Sequence, residues 1–441
     1  MTALYVRRRL WTVAVAAALL IPSLGRASGG EPDPVVPLLL SLAVVLSAAK
    51  LGGALAVAVR QPAVLGEIVI GILIGNLGLV GVHTIEPMKA DPTLAVLASL
   101  GVIVLLFEVG LESTVEQMRR VGLSSFLVAV LGVITPFALG WLAGIWLLPH
   151  HSPYVHAFLG AVLTATSVGI TARVLRDLGK METREAKIIL GAAVIDDVLG
   201  LLVLAVMGGI IAAAERGGAG LSVGTLVSIS GKAVAFLAGA ILLGRLLAPY
   251  LLRLASRVKV RGILLTSGLC FCFILSYLAA RAGLAPIVGA FAAGLVLEPS
   301  HFGDFDESRE HSLESLLHPI STFLVPIFFV LTGLRVELAS FGDPTILGLA
   351  ALLTLAAVVG KQACALGAVG RGYNRLAIGI GMIPRGEVGL IFANVGASLV
   401  VAGERVITPA TYSAVVIMVV VTTLMTPPAL QWSLTRGGHS P

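Results

Sequence analysis

The sequence contains few charged residues and few cysteines. Only 12% of its 441 residues are charged, whereas ordinary soluble domains carry about 25%, so a soluble globular protein is excluded. The three cysteines, Cys270, Cys272 and Cys364, lie inside apolar segments, where a free thiol behaves as a small hydrophobic group. We therefore expect neither a disulfide framework nor a cysteine metal site.

The sequence also lacks a phosphate-binding loop and a continuous basic stripe. No G-x-x-x-x-G-K-[ST] motif occurs, and the longest polar stretch, 298–314, is too short for an ATP-hydrolysing domain. The net charge of +6 comes from basic residues in short loops between apolar runs, a distribution typical of membrane topology signals. We expect transport driven by an ion gradient, with no nucleic-acid partner and no cofactor.

Apolar runs recur along the whole chain, and 57% of the residues are hydrophobic. A helix needs about 20 residues to cross roughly 30 Å of hydrocarbon at about 1.5 Å per residue. The runs therefore predict an all-α polytopic membrane protein with about 13 transmembrane helices within residues 30–432. The predicted spans are 35–59, 62–81, 94–111, 122–148, 155–176, 184–213, 223–250, 262–281, 284–297, 317–334, 344–369, 374–402 and 410–430.

The N-terminal segment, 1–29, has the layout of a secretory signal peptide. Three arginines at 7–9 precede a short apolar core at 10–20, and Pro22 and small residues follow. An uncleaved extra helix is the alternative interpretation. Beyond this segment Lys and Arg concentrate in alternate loops, which predicts an outside N-terminus and a cytoplasmic C-terminal tail at 433–441.

Two of the predicted spans contain residues that interrupt helices. The fifth span carries threonines and a serine within 164–171, and the twelfth carries Pro384 among glycines within 379–389. Because the two spans lie seven apart, an odd offset, equivalent helices of two halves would run in opposite directions. This pattern predicts two inverted repeats with discontinuous crossing helices and a binding site at the midplane. Close helix packing is the alternative reason for the glycines.

Two aspartates, Asp196 and Asp197, lie next to each other in the sixth predicted span. They are about 17 Å from the helix start near Glu185, which is about half the hydrocarbon depth. Carboxylates at that depth are costly and functional by default. Neighbours on a helix point about 100° apart, so one aspartate can face a structural partner while the other faces an aqueous cavity. Hydrogen bonding purely for packing is the alternative.

Further charged residues lie inside other predicted spans. Lys361 in the eleventh span is the predicted partner of the aspartates, with snorkelling to the interface as the alternative. Arg385 and Glu387 in the twelfth span have an i, i+2 spacing that prevents mutual contact on a continuous helix. We expect them to bridge to other helices, with Glu67 in the second span as a candidate partner, in a stabilising or gating role. Direct ion handling is the alternative.

Hydroxyl groups at the interrupted fifth span are candidate cation ligands. Thr166, Ser167 and Thr171 would supply neutral oxygens, and helix capping is the alternative role for each of them. Protons compete with a hard cation for the same carboxylate oxygens, so one alternately exposed site gives exchange. A set of oxygen ligands suits Na⁺, Li⁺ or K⁺ rather than a transition metal.

These motifs resemble those of the monovalent cation:proton antiporters, in the branch of bacterial electrogenic sodium/proton antiporters. The resemblance covers nearly all of the chain after residue 35. Its motifs are RQPAVLGEIVIGILIG at 60–75, LLFEVGLE at 105–112, IDDV at 195–198, PIFF at 326–329 with Gly333, GK at 360–361 and PRGEV at 384–388.

The resemblance implies roles for individual residues. Asp197 matches the carboxylate that binds the cation, Na⁺ or Li⁺, and Asp196 matches the carboxylate that pairs with the lysine at 361. Related electroneutral members have Asn where Asp196 stands, so the double aspartate implies electrogenic exchange. Asn76 departs from the family pattern, in which many members have proline after Ile-Gly, and this weakens the match at the end of the second span.

The resemblance also implies a larger organisation. We expect thirteen helices, a homodimer and a location in the bacterial inner membrane. The core domain, roughly 94–213 and 317–402, would move against a dimer or scaffold domain formed by the remaining spans. The expected partners are small monovalent cations, protons, membrane lipids and a second copy of the chain.

Other functions stay open on the sequence. Intramembrane aspartyl proteases also bury two aspartates, but on two facing helices, whereas these two are consecutive on one helix. A sodium-coupled symporter of an organic solute could share the inverted-repeat fold. A potassium/proton antiporter is the third alternative, so Na⁺, Li⁺ and K⁺ all stay candidates for the transported cation.

Overall fold

The computed structural model describes residues 35–59, 61–83, 85–112, 122–215, 223–256, 260, 262–297, 312–370, 372–401 and 403–436. The predicted signal peptide, most of the loop at 298–314 and the end of the predicted tail lie outside the described residues.

The described residues are mainly helical. The helices are α1 (Val35–Ala58), α2 (Ala63–Gly75), α3 (Glu86–Lys89), α4 (Pro92–Glu112), α5 (Leu123–Leu147), α6 (Pro153–Thr164), α7 (Val168–Asp177), α8 (Arg184–Glu215), α9 (Val223–Ser256), α10 (Ile263–Arg281), α11 (Pro286–Val296), α12 (Leu313–Leu334), α13 (Pro344–Cys364), α14 (Arg375–Gly381), α15 (Gly386–Ser398) and α16 (Pro409–Arg436). One antiparallel pair of two-residue strands, β1 (Val400–Val401) and β2 (Glu404–Arg405), lies between α15 and α16.

Helix length and hydropathy confirm a polytopic membrane protein. Within the described residues, nine helices are long and apolar enough to cross a membrane, and α14 with α15 make a tenth, bent by 46° at the break. Three shorter apolar helices, α2, α6 and α11, also occupy predicted spans. Every predicted span therefore contains a helix, while the number of thirteen crossings stays a prediction.

The second span ends earlier as a helix than the sequence pattern predicts. Helix α2 stops at Gly75, and a 3₁₀ turn at Leu77–Val80 follows. The Asn76 side chain donates to the Ile72 carbonyl over 2.8 Å, and the Asn76 backbone N–H bonds the same carbonyl. Asn76 is thus the C-cap residue of α2.

The chain forms two compact units. The first contains the described residues up to Ser99 together with Pro326–Arg335, and the second contains Leu100–Val325 and the residues from Val336 onward. These boundaries differ from those of the predicted core domain. The core domain is defined as the part of the chain that is expected to move during transport, and its boundaries stay a prediction.

In the first unit, α1 and α2 pack at very short range. A Cβ atom on Gly52 would lie 2.3 Å from the Gly66 carbonyl oxygen, so only glycine permits this approach. Glu67 lies beside this contact and is 8% exposed.

In the second unit, a hydrophobic core lies against the N-terminal half of α8. Its residues come from α5, α8, α13, α14 and the short segments that follow α13 and α14, and half of them are alanine or cysteine, whose small side chains allow close approach. They are Val128, Ala129, Ile188, Ile189, Ala192, Ala193, Ile195, Cys364, Ala365, Ala368, Ile378 and Met382. Asp196 lies next in sequence to Ile195 of this core, so its carboxylate needs a polar partner.

Candidate ion site

The two interrupted spans lie against each other at their breaks. Helix α6 ends at Thr164 and α7 begins at Val168, while α14 ends at Gly381 and α15 begins at Gly386. The Ser167 backbone N–H donates to the Pro384 carbonyl over 2.8 Å. Both predicted interruptions are confirmed, and each break supplies a hydrogen-bonding partner to the other.

The break between α14 and α15 has a local cause. Pro384 disfavours a helical conformation at the residue before it, and Gly386 has a φ of +38°, which L side chains rarely adopt. A Cβ atom on Gly386 would also lie 2.5 Å from the Ser167 Oγ. Glycine is therefore required here both by the backbone angle and by the close approach.

Arg385 connects the two interrupted spans and α13 from a buried position. Its side chain is fully buried, and its guanidinium donates to the Ala165 carbonyl over 2.8 Å and to the Ala357 carbonyl over 3.3 Å. The first acceptor follows the C-terminal end of α6, where carbonyls lack helical partners and the helix dipole is negative. Arg385 thus bridges to other helices as expected, through carbonyl oxygens. Glu67 belongs to the other unit, and its gating role stays a prediction.

Glu387 and Ser167 form a second polar contact at the crossing. The Ser167 hydroxyl lies 2.8 Å and 3.0 Å from the two carboxylate oxygens of Glu387. Glu387 is in the first turn of α15, where a negative charge is favoured by the helix dipole. The hydroxyl that was predicted as a cation ligand therefore already has an acidic partner.

The two threonines of the fifth span differ in their partners. Thr171 donates to the Gly381 carbonyl over 2.7 Å, which ties α7 to the end of α14. The Thr166 hydroxyl is buried and finds no hydrogen-bond partner among the described residues. A buried hydroxyl without a partner is costly, so Thr166 is the one of the two whose hydroxyl would gain most from a ligand.

Asp196 and Lys361 form a buried ion pair. The Lys361 Nζ lies 2.9 Å from Oδ1 and 3.1 Å from Oδ2 of Asp196, and both side chains are fully buried. Lys361 therefore does not snorkel to the interface. Removing one partner from such a pair leaves an uncompensated charge, which costs far more than removing both.

Asp197 faces a different environment from Asp196. Its side chain is half-buried, whereas Asp196 is 1% exposed. A cavity of about 650 Å³ is lined by α5 near its start, by α8 and by Tyr373, and it includes Leu190 and Val194. Because residues three and four apart share a helix face, Asp197 continues the face of α8 that lines this cavity.

Three carboxylates and two cations lie at the site among the described residues. Asp196 and Lys361 pair directly. Arg385 and Glu387 lie at the crossing, and Asp197 is the third carboxylate. A monovalent cation and a proton that bind the same carboxylate together leave an excess positive charge, which low-dielectric surroundings penalise strongly.

Sequence reasoning missed the part that α5 plays at the site. Thr135 lies within hydrogen-bonding distance of the Gly360 carbonyl, at 2.6 Å, and Gly132 lies beside the ion pair. The sequence carries a weak signal, a threonine and Pro136 inside an apolar span. That signal does not show which helix α5 contacts.

Comparisons with known proteins place the chain among transporters. A family model described as "Sodium/hydrogen exchanger, transmembrane" matches residues 39–435. The chain is 39% identical to the high-affinity Na⁺/H⁺ antiporter NhaS3 of Synechocystis, over 91% of this chain and 90% of that protein. It is 35% identical to the Na⁺/H⁺-K⁺ antiporter GerN of Bacillus cereus, over 89% of this chain and 95% of that protein.

A solved structure shows a similar fold. The sodium proton antiporter MjNhaP1 from Methanocaldococcus jannaschii, determined at pH 8, superposes with a TM-score of 0.67 over 92% of this chain and 100% of that chain. The sequence identity is 17%, so the likeness concerns the fold alone.

Proposed function

Because the chain belongs to the sodium/hydrogen exchanger family, we propose that it exchanges Na⁺ or another small monovalent cation for protons across a membrane. Exchange would proceed by alternating access at a site formed by Asp196, Asp197 and Lys361. Relatives that are 39% and 35% identical are named as antiporters of these ions, which supports the assignment.

The different surroundings of the two aspartates carry the proposal. Asp196 is fully engaged with Lys361 in a dry environment, whereas Asp197 lies on the cavity-lining face of α8. A transported ion needs a carboxylate that it can reach through water, and a neighbouring pair that can respond to its arrival. Asp197 fits the first role, and the Asp196–Lys361 pair fits the second.

Oxygen atoms at the crossing would complete the coordination of the cation. Thr166 offers a buried hydroxyl without a partner among the described residues, and backbone carbonyls at the two breaks are not bound by their own helices. Ser167 and Thr171 donate their protons to Glu387 and to Gly381. Each of these two hydroxyls retains a lone pair, so a supporting role for both stays part of the proposal.

Charge balance supplies the coupling between the two ions. Cation entry beside Asp197 adds a positive charge to a low-dielectric site, and loss of a proton offsets that charge. Lys361 can supply that proton when the cation draws Asp196 away from it. We propose that Lys361 carries one proton and Asp197 another, so that more than one proton moves per cation.

The wider assembly forms part of the same proposal. The chain would act as a homodimer in a bacterial inner membrane, with its N-terminus outside and its C-terminus in the cytoplasm. The core domain predicted at 94–213 and 317–402 would carry the ion site across the membrane against a scaffold formed by the other spans.

Potassium is a second candidate for the exchanged cation. The relative GerN is named as an antiporter of K⁺ as well as Na⁺ and H⁺, and it is 35% identical over 89% of this chain. Carboxylate, hydroxyl and carbonyl oxygens can bind either ion, so the donor set permits both.

The test is ion exchange in proteoliposomes with an imposed pH gradient. We expect Na⁺, Li⁺ or K⁺ added outside to dissipate the gradient, and choline to have no effect. Asp197→Asn should abolish dissipation while the purified protein keeps its fold. Asp343→Asn is the matched control, because Asp343 caps α13 from an exposed position and asparagine caps equally well. Cation-dependent dissipation that survives in Asp197→Asn would contradict the proposal.

A further inference from the structure

Helix α5 packs directly on the part of α13 that carries Lys361. A Cβ atom on Gly360 would lie 2.8 Å from the Cα of Pro136, so the two backbones are in contact at this point. The Thr135 hydroxyl lies 2.6 Å from the Gly360 carbonyl and 2.5 Å from the Leu131 carbonyl of its own helix, so its single proton is shared between the two helices. Together these contacts fix the backbone from which the Lys361 side chain extends.

One turn earlier in α5, Gly132 lies beside the ion pair itself. A Cβ atom on Gly132 would lie 3.3 Å from the Lys361 Nζ and 3.5 Å from the Asp196 Oδ1. The first distance is shorter than ordinary van der Waals contact. The flexible end of the lysine side chain, rather than the backbone, would have to move.

We propose that Gly132 is a positioning residue of the exchange site. Its missing side chain leaves the space in which the Lys361 ammonium contacts both carboxylate oxygens of Asp196. This inference rests on the proposed function, in which that pair forms and breaks in each cycle. A methyl group at Gly132 displaces the ammonium, weakens the pair and reduces the coupling between cation binding and proton release.

A double-mutant cycle on thermal stability tests this role in the purified full-length protein. Gly132→Ala is compared in the wild type and in Lys361→Ala, which removes the side chain that the new methyl group meets. We expect Tm to fall by at least about 2 °C in the wild-type background. In Lys361→Ala we expect the same substitution to leave Tm nearly unchanged, because the two sites are coupled.

A matched control separates this effect from a general cost of alanine. Gly200 also lies within a long membrane helix, and a Cβ atom there would meet Phe392 at 3.8 Å, an ordinary contact. Gly200→Ala should change Tm by the same amount in both backgrounds, because the higher helix propensity of alanine does not depend on Lys361. If Gly132→Ala lowers Tm equally in both backgrounds, the proposal is overturned, because the loss of stability then comes from helix packing and not from the ion pair.

A second measurement covers the case in which Lys361→Ala does not fold. The ratio of charge moved to Na⁺ moved is compared between wild type, Gly132→Ala and Lys361→Gln in proteoliposomes. We expect the ratio for Gly132→Ala to fall towards that of Lys361→Gln, which a purely structural defect would not produce. A wild-type ratio in a Gly132→Ala protein of wild-type Tm overturns the proposal. Absence of Na⁺, Li⁺ and K⁺ movement in the wild type would instead contradict the proposed function, while the Tm cycle would still decide the role of Gly132.

Discussion

At the scale of single residues, the two neighbouring aspartates of α8 have different surroundings. Asp196 is committed to Lys361 by two contacts in a fully buried environment. Asp197 lies about 100° further round the helix, on the face that lines a cavity of about 650 Å³. Two adjacent carboxylates can therefore respond to different ions.

Lys361→Gln should lower thermal stability and reduce the charge moved per cycle. The substitution leaves Asp196 buried without a cationic partner, which costs roughly 3–5 kcal/mol, and proton uptake by Asp196 would reduce this cost. Thermal unfolding of the purified protein measures the first effect, and potential-driven Na⁺ movement measures the second.

The double variant Asp196→Asn with Lys361→Gln is the control for this prediction. Removing both charges eliminates the uncompensated carboxylate, so we expect stability to recover most of the loss. A Lys361→Gln protein with wild-type Tm and a wild-type response to membrane potential would show that the pair has no energetic importance.

At the scale of elements, the crossing of the two broken spans depends on contacts between their breaks. Arg385 satisfies the carbonyl that follows α6, Ser167 donates its backbone N–H to Pro384, and Thr171 ties α7 to the end of α14. Three of the four half-helix ends thus find a hydrogen-bonding partner on the other span, which is how irregular backbone is tolerated at membrane depth.

Gly386→Ala should destabilise this crossing more than alanine does at an open glycine. The positive φ costs about 1–2 kcal/mol for an L side chain, and the contact with Ser167 adds about 1–3 kcal/mol of overpacking. Gly283→Ala is the matched control, because Gly283 has a φ of +83° and no neighbour within 4 Å of its Cβ position. Tm measurements on both variants separate the two costs.

Ser167→Gly in the Gly386→Ala background is the decisive second variant. It removes the Cβ and Oγ atoms that the new methyl group would meet, so part of the lost stability should return. If Gly386→Ala and Gly283→Ala lower Tm equally, the close approach at the crossing contributes nothing.

At the scale of the whole molecule, the proposal predicts that exchange responds to membrane potential. If two protons move against one Na⁺, each cycle transfers one net positive charge in the direction of the protons. A potential that is positive inside drives protons out of a vesicle and therefore drives Na⁺ in. The driving force is about 2.3 kcal/mol per charge per 100 mV, equal to an Na⁺ gradient of roughly 50-fold.

Uptake of Na⁺ into sealed vesicles, with pH clamped equal on both sides, measures this response. Reversing the sign of the potential should convert uptake into release. Vesicles that contain the Asp197→Asn protein measure the Na⁺ movement that does not depend on exchange. Equal Na⁺ movement at positive, zero and negative potential would show that exchange is electroneutral.

Much of this organisation was determined by the sequence alone. Scarce charge and recurrent apolar runs establish the membrane class, because backbone and side chains in hydrocarbon must be apolar or internally satisfied. Pro384 and the nearby glycines place one helix break, since these residues alter local backbone preferences wherever they occur. Asp196, Asp197 and Lys361 identify the site, because charge at membrane depth requires a partner.

Only the tertiary structure decided which groups meet. The resemblance implies that Lys361 pairs with Asp196, but burial cost by itself does not select between two carboxylates separated by about 100° on one helix. The rotation of α8 against α13 makes that choice. The break at 165–167 contains neither proline nor glycine. It is stabilised by Arg385 and Pro384, about 220 residues away in the chain. The role of Gly132 could not be recognised from the sequence for the same reason. The space left by its missing side chain matters only because α5 packs beside the ion pair.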